Sequence, residues 1–156
     1  MMQVFTALLI FLHQLATVVW IGQLVIGNVV FMPLFASQLE RPARARMLAG
    51  MAKRFTPLFW GSVVIFNLTG IPMLIGGMDQ VGIADPWSVL VLAKHAVVIL
   101  MIVLGALTLG ATTKACAEET PPADSQAAGK RARLMGVVSM ICGLVVLLLT
   151  ALAEAL

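Results

Sequence analysis

Charge is what this chain has least of: Asp, Glu, Lys and Arg make up 11% of its 156 residues, against 61% hydrophobic side chains. A soluble domain carries about a quarter charged residues, so water is excluded as the solvent of most of this surface. No Lys or Arg precedes Arg41. The positive n-region of a secretory signal is therefore missing, and the opening run MMQVFTALLIFLHQL reads as a retained first membrane helix. Two cysteines, Cys116 and Cys142, have neither metal-type spacing nor the number a disulfide framework needs. Ser, Gly and Pro form no long tract that would support a disordered arm, and one compact domain over residues 1–156 is expected. The net charge of +3 comes from basic residues confined to two short segments, the pattern of membrane topology, and nucleic acid is discarded as a partner.

What remains is four apolar stretches. Residues Met1 to Leu39 and Phe55 to Met78 hold no charge, Trp87 to Thr113 holds only Lys94, and Leu134 to Ala153 holds none. Each reaches or exceeds the roughly 20 residues that cross the hydrocarbon. The expected fold is an all-α, integral membrane four-helix bundle with helices over about 3–35, 55–78, 87–113 and 134–154, and Pro33 is expected to kink or end the first. The segments 37–54 and 114–133 carry nearly all of the Lys and Arg and are expected as cytoplasmic loops. The segment MDQVGIADP has two Asp and no cation. That asymmetry predicts an N-out, C-out topology in a bacterial-type inner membrane, with Trp87 and Trp60 as interfacial anchors. The only linker is CAEETPPADSQAAGKRAR. Arg44-Ala-Arg46-Met-Leu and Arg131-Ala-Arg133-Leu-Met resemble each other, a weak signature of a duplicated helix pair.

Ionisable side chains inside a span are costly, and this chain places three there: His13, Lys94 and His95. His13 lies about 15 Å beyond Gln3 and His95 about 14 Å beyond Pro86, so the two imidazoles are expected at one depth on two helices running the same way. His13 shares a stripe with Ala16, Thr17, Trp20, Gln23 and Gly27, small and polar residues suited to helix contact. Helix 2 offers Asn67, Thr69 and Gly70, and helix 4 offers Gly136, Ser139 and Gly143. Two imidazoles at one level suit the axial positions of a haem b, with Lys94 pairing a propionate or snorkelling to the headgroups, and Trp20 beside it. The same histidines, joined by Met1, Met2, Met73 and Met78 at the outer side, would instead make a thin copper path. As a packing matter alone, each histidine would bond a neighbouring Thr or carbonyl, and Trp20 would fill the core.

The stretch from His13 through six residues to Trp20 and on to Pro33, then R54-F-x-x-L-x-W60, L68-T-G70 and L92-A-K94-H95, resembles the CopD-type copper-resistance membrane domain. The spacing of His13 and Trp20 and the Lys of helix 3 also resemble HemJ-type protoporphyrinogen oxidases, small four-helix haem proteins. The resemblance implies that His13 is a metal or haem ligand and Lys94 a second essential position. Three functions follow as expectations. The first is a haem b protein in electron transfer or tetrapyrrole chemistry, a candidate membrane oxidoreductase with a quinone-level redox partner. The second is a CopD-like copper transporter. The third is a non-catalytic subunit of a larger complex, or a homo-oligomer, held in the lipid bilayer.

Overall fold

The computed structural model describes residues 2–117 and 121–155, and the chain is helical almost throughout. α1 (Met2–Val25) passes into a π-helical segment, Ile26–Phe31, and then α2 (Met32–Gln38); α3 is Arg41–Val81, α4 is Pro86–Cys116 and α5 is Pro122–Glu154. The first three form one continuous span. Among the described residues four helical stretches are long and apolar enough to cross a membrane, as the charge-free runs predict. Their outward faces are rich in exposed Leu, Val, Ile and Phe, such as Leu68 and Val4. In water that surface would be a large aggregation-prone patch; in lipid it is solvated.

Consecutive spans pack side by side and the first closes on α5. α1 and α4 are therefore diagonal, as are α3 and α5. Each span gives at least one residue to a core of Trp20, Phe59, Val63, Met101 and Val146. Trp20, 2% exposed, stands edge-on to Phe59 and Phe66, both at 5.5 Å. The Phe59 ring lies where a Cβ on Gly105 would sit, so α3 and α4 interlock ring into glycine. Without that glycine the two backbones would have to separate.

Pro33 neither ends the first span nor breaks it. A proline lacks the N–H and its ring strikes the carbonyl four residues back. The backbone answers by widening before it: the N–H of Met32 bonds the Gly27 carbonyl, five residues away, which is a π-type bulge. Asn28, inside that bulge, donates to Leu24 O at 2.8 Å and across to Gly136 O of α5 at 3.3 Å.

The basic segments also depart from expectation. Arg41 to Arg54 are not a loop but the first turns of α3, which runs unbroken to Val81 past Pro57 and Pro72. Lys130, Arg131 and Arg133 likewise lie within α5. Both segments are rich in Ala, Lys and Arg, good helix formers, and both helices carry a proline in the first turn, where a missing N–H costs nothing. The two similar Arg-Ala-Arg motifs thus both lie in the N-terminal halves of α3 and α5. Glu118 to Thr120 of the expected linker lie outside the described residues.

The opposite end is a tight corner. Gly82, at φ +87°, closes α3 with its N–H on Met78 O at 2.8 Å, a conformation glycine adopts without a Cβ clash. Asp85 then caps α4 by accepting from the N–H of Trp87 at 2.9 Å, with Pro86 at the first helical position. The Trp87 ring folds over Gly77. Ser88, fully buried, donates to Gly82 O at 2.7 Å. Trp60 is 46% exposed on the lipid-facing surface.

Candidate metal site

Diagonal helices meet only through the interior, and His13 of α1 and His95 of α4 do so over a glycine of α3. A Cβ built on Gly70 would lie 3.0 Å from His13 Cε1 and 3.9 Å from His95 Nε2. Similar numbers of residues from the same end of two helices, eleven from Met2 to His13 and nine from Pro86 to His95, put the rings near one height, and a missing side chain on the helix between them lets both reach the axis.

Both tautomers follow from the hydrogen bonds. His95 Nδ1 lies 2.7 Å from Val91 O; a carbonyl only accepts, so Nδ1 carries the proton. His13 Nδ1 lies 2.8 Å from Thr69 Oγ1. The Thr69 hydroxyl donates its single proton to Ile65 O at 2.6 Å, so toward His13 it can only accept, and His13 Nδ1 is the donor. Each imidazole therefore presents an unprotonated Nε2 with its lone pair. A metal-binding histidine is commonly arranged this way, its second nitrogen tied to a carbonyl or hydroxyl that fixes ring and tautomer. Phe66 packs edge-on against His13 at a 4.6 Å centroid distance and holds the ring from a third side.

Lys94 stands one residue before His95 on α4 and is half-buried. Trp20 reaches the site only through Phe66, which touches both rings. Met73 is largely exposed, at 38%, so it adds no enclosed thioether; Met1 and the Met2 side chain lie outside the described residues. Two contributors escaped the sequence reading. Thr69 and Gly70 stood there only as small or polar positions, although a Thr one residue from a Gly on a neighbouring helix is a natural second nitrogen partner.

Among the described residues no three His, Cys, Asp or Glu side chains gather around a point. A tetrahedral zinc site or a carboxylate-rich site for a hard cation is therefore not built here. Two neutral imidazoles alone suit a d10 ion content with two nitrogen donors, which is Cu(I). Haem b fits poorly. A porphyrin needs a slot between its ligands, whereas here both rings crowd Gly70 and Phe66 fills one side. The bundle does hold a cavity of about 190 Å³, but it opens nearer the basic end, and neither histidine lines it.

No curated protein and no solved structure is significantly similar to the chain. The likeness to HemJ-type oxidases accordingly gains no support. The family described as copper resistance protein D matches residues 49–153. The match takes in Thr69, Gly70, Lys94 and His95 and leaves the helix of His13 outside. Two thirds of the sequence thus follow one family pattern, and they include three of the four spans: this chain belongs to the copper resistance protein D family.

Proposed function

We propose that the chain is a membrane copper-handling protein in which His13 and His95 take up Cu(I) as cargo between their Nε2 atoms. One observation carries this reading: the two Nδ1 atoms are committed to Thr69 Oγ1 and Val91 O, while both rings border the vacant side of Gly70. The ion is a substrate passing through, so two ligands are an advantage, because a site that must release its ion cannot be saturated with donors. By the excess of Lys and Arg, the basic end faces the cytoplasm, which puts the imidazole pair in the half of the bilayer away from it.

The test is Cu(I) binding by protein purified in mild detergent under reducing, oxygen-free conditions, read by competition with a chromophoric chelator. His13→Ala and His95→Ala are each expected to lower affinity by at least 100-fold while leaving helicity intact. Unchanged affinity in both variants would overturn the assignment. A Soret band in protein made with ample haem, lost in His13→Ala, would overturn it in favour of haem.

A further inference from the structure

The cavity near the basic end is apolar along most of its wall, yet its inner end is not. Among the described residues three side-chain atoms are buried without a hydrogen-bond partner: Trp20 Nε1, Gln23 Oε1 and Ser139 Oγ. Ser139, 1% exposed, and Gln23 both line the cavity, and Trp20 stands three residues before Gln23 on α1. Helix register puts these groups at one level. Gly136 faces Asn28 and Gly143 faces Ile21, seven residues apart on α5 and seven apart on α1, so the two helices run antiparallel in step. Ser139 is then opposite Val25, about 3 Å along the axis from Gln23. Gly143 also faces Met101, which brings Ser139 level with Gly105, where the Phe59 ring interlocks with α4.

A polar group cut off from water inside a membrane costs free energy unless the interior satisfies it. These three need a donor and an acceptor at once: the indole N–H donates, the Gln23 oxygen accepts, and the Ser139 hydroxyl does either. Water supplies both, and about 190 Å³ is room for several molecules. Polar side chains continue along the wall toward the basic end, Asn28 after Gln23 on α1 and Thr108 and Thr112 after Gly105 on α4. At the mouth, the cavity adjoins a gap between α3 and α4 that shares Ala52, Thr112 and Cys116 with it and adds the exposed Lys53. Toward the imidazoles the way is shut. From His13 to Gln23 and from His95 to Gly105 is ten residues, about 15 Å. Trp20, Phe66, Val63 and Met101 pack into that interval, and Trp20 and Met101 are each 2% exposed.

We infer that the cavity is a water-filled half-channel, which reaches from the basic end to Gln23 and Ser139 and is sealed from the imidazole pair by the rings of Trp20, Phe59 and Phe66. It takes water and small hydrated cations. Its use as the release path for Cu(I) rests on the copper-handling reading; its hydration does not. Wetting one side of a site while the other stays closed is the arrangement alternating access requires.

The experiment reads water as the reaction of single cysteines with a charged, membrane-impermeant methanethiosulfonate in sealed membrane vesicles. The background is the full-length chain carrying Cys116→Ala and Cys142→Ala, and Arg46→Cys identifies the basic side. Two comparison sites lie on α5: Ile141, at the depth of Ser139 but 53% exposed on the lipid face, and Val146, buried in the core. From the side that labels Arg46→Cys, Ser139→Cys is expected to react about 10-fold or more faster than Ile141→Cys and Val146→Cys, because only an ionised thiol in water attacks the reagent. Gln23→Cys carries the same expectation should Ser139→Cys not fold. Reaction of both no faster than Ile141→Cys overturns the half-channel, and fast reaction of Val146→Cys overturns the seal. The release role is read separately, as Cu(I) efflux from proteoliposomes. Ser139→Leu, which narrows the route with an apolar side chain, is expected to be about 10-fold slower than Ser139→Ala. Equal rates overturn the release path and leave the hydrated cavity standing. A wild type without Cu(I) flux overturns the copper reading, and the labelling still decides the water.

Discussion

Around Gly70 the first nitrogen of each imidazole has its partner, at 2.8 Å for His13 and 2.7 Å for His95, and a ring contact braces His13. Around the cavity at the other end, Gln23 Oε1 and Ser139 Oγ have none. One half of the bundle is closed over two oriented rings, and the other is held open around about 190 Å³. The difference lies in what each glycine faces. Gly70 admits side chains from two helices to one point, while the nearest atoms to Gly136, beside the cavity, are those of the Asn28 amide. Rigid orientation at one end and free volume at the other are what a carrier needs if it binds selectively and then lets go.

Filling the closed end should do the most damage. Gly70→Val puts a branched side chain where the first added carbon already lies 3.0 Å from His13 Cε1. Overpacking of this kind costs about 1 to 3 kcal/mol, and the displaced rings should lose Cu(I) binding at the nitrogen site altogether. Retention of near wild-type binding by a folded Gly70→Val protein would show that the two rings do not work as a pair.

Thr69→Val tests orientation without adding bulk. The hydroxyl that accepts from His13 Nδ1 disappears, so the tautomer is no longer fixed, and outer partners of this kind are worth about 10- to 100-fold in metal affinity. Cu(I) affinity should fall in that range, and Thr69→Ser should restore it. Equal affinities for the Val and Ser variants would break the argument from tautomers. At the level between the two ends, Gly105→Ala meets the Phe59 ring and is expected to destabilise the bundle by about 1 to 3 kcal/mol, read as a lower thermal unfolding midpoint in detergent. Phe59→Leu in the same chain should recover part of the loss, since it removes the clashing atoms.

The four spans were legible because the stretches without charge are long and the bilayer sets a fixed length. The matched height of His13 and His95 was legible for a similar reason: a helix converts residue count into distance. Their meeting over Gly70 was not, because nothing in one helix says which residue of another will face it. The basic segments were misread as loops on the strength of topology, although RPARARMLAGMAK has the composition of a helix. Pro33 signalled a disturbance, yet its sequence context does not say whether the backbone stops, bends or widens. Haem was favoured from paired imidazoles together with the HemJ-type resemblance, and the missing slot between them became visible only once Phe66 and Gly70 were in place.

Widening has a consequence at the open end. The π segment adds one residue to the turn before Pro33 and turns Asn28 toward α5, where its amide spans 3.3 Å to Gly136 O beside the cavity. That bond is long, and Asn28 also holds Leu24 O of its own helix at 2.8 Å, so the cross-helix share is small. Interhelical hydrogen bonds in membranes average about 0.6 kcal/mol. Asn28→Ala should therefore lower the unfolding midpoint only slightly, by about that free energy, and leave the nitrogen site unchanged. A loss of several kcal/mol would mean that the bulge, rather than the interlocked rings of Phe59 and Trp20, holds the open end together.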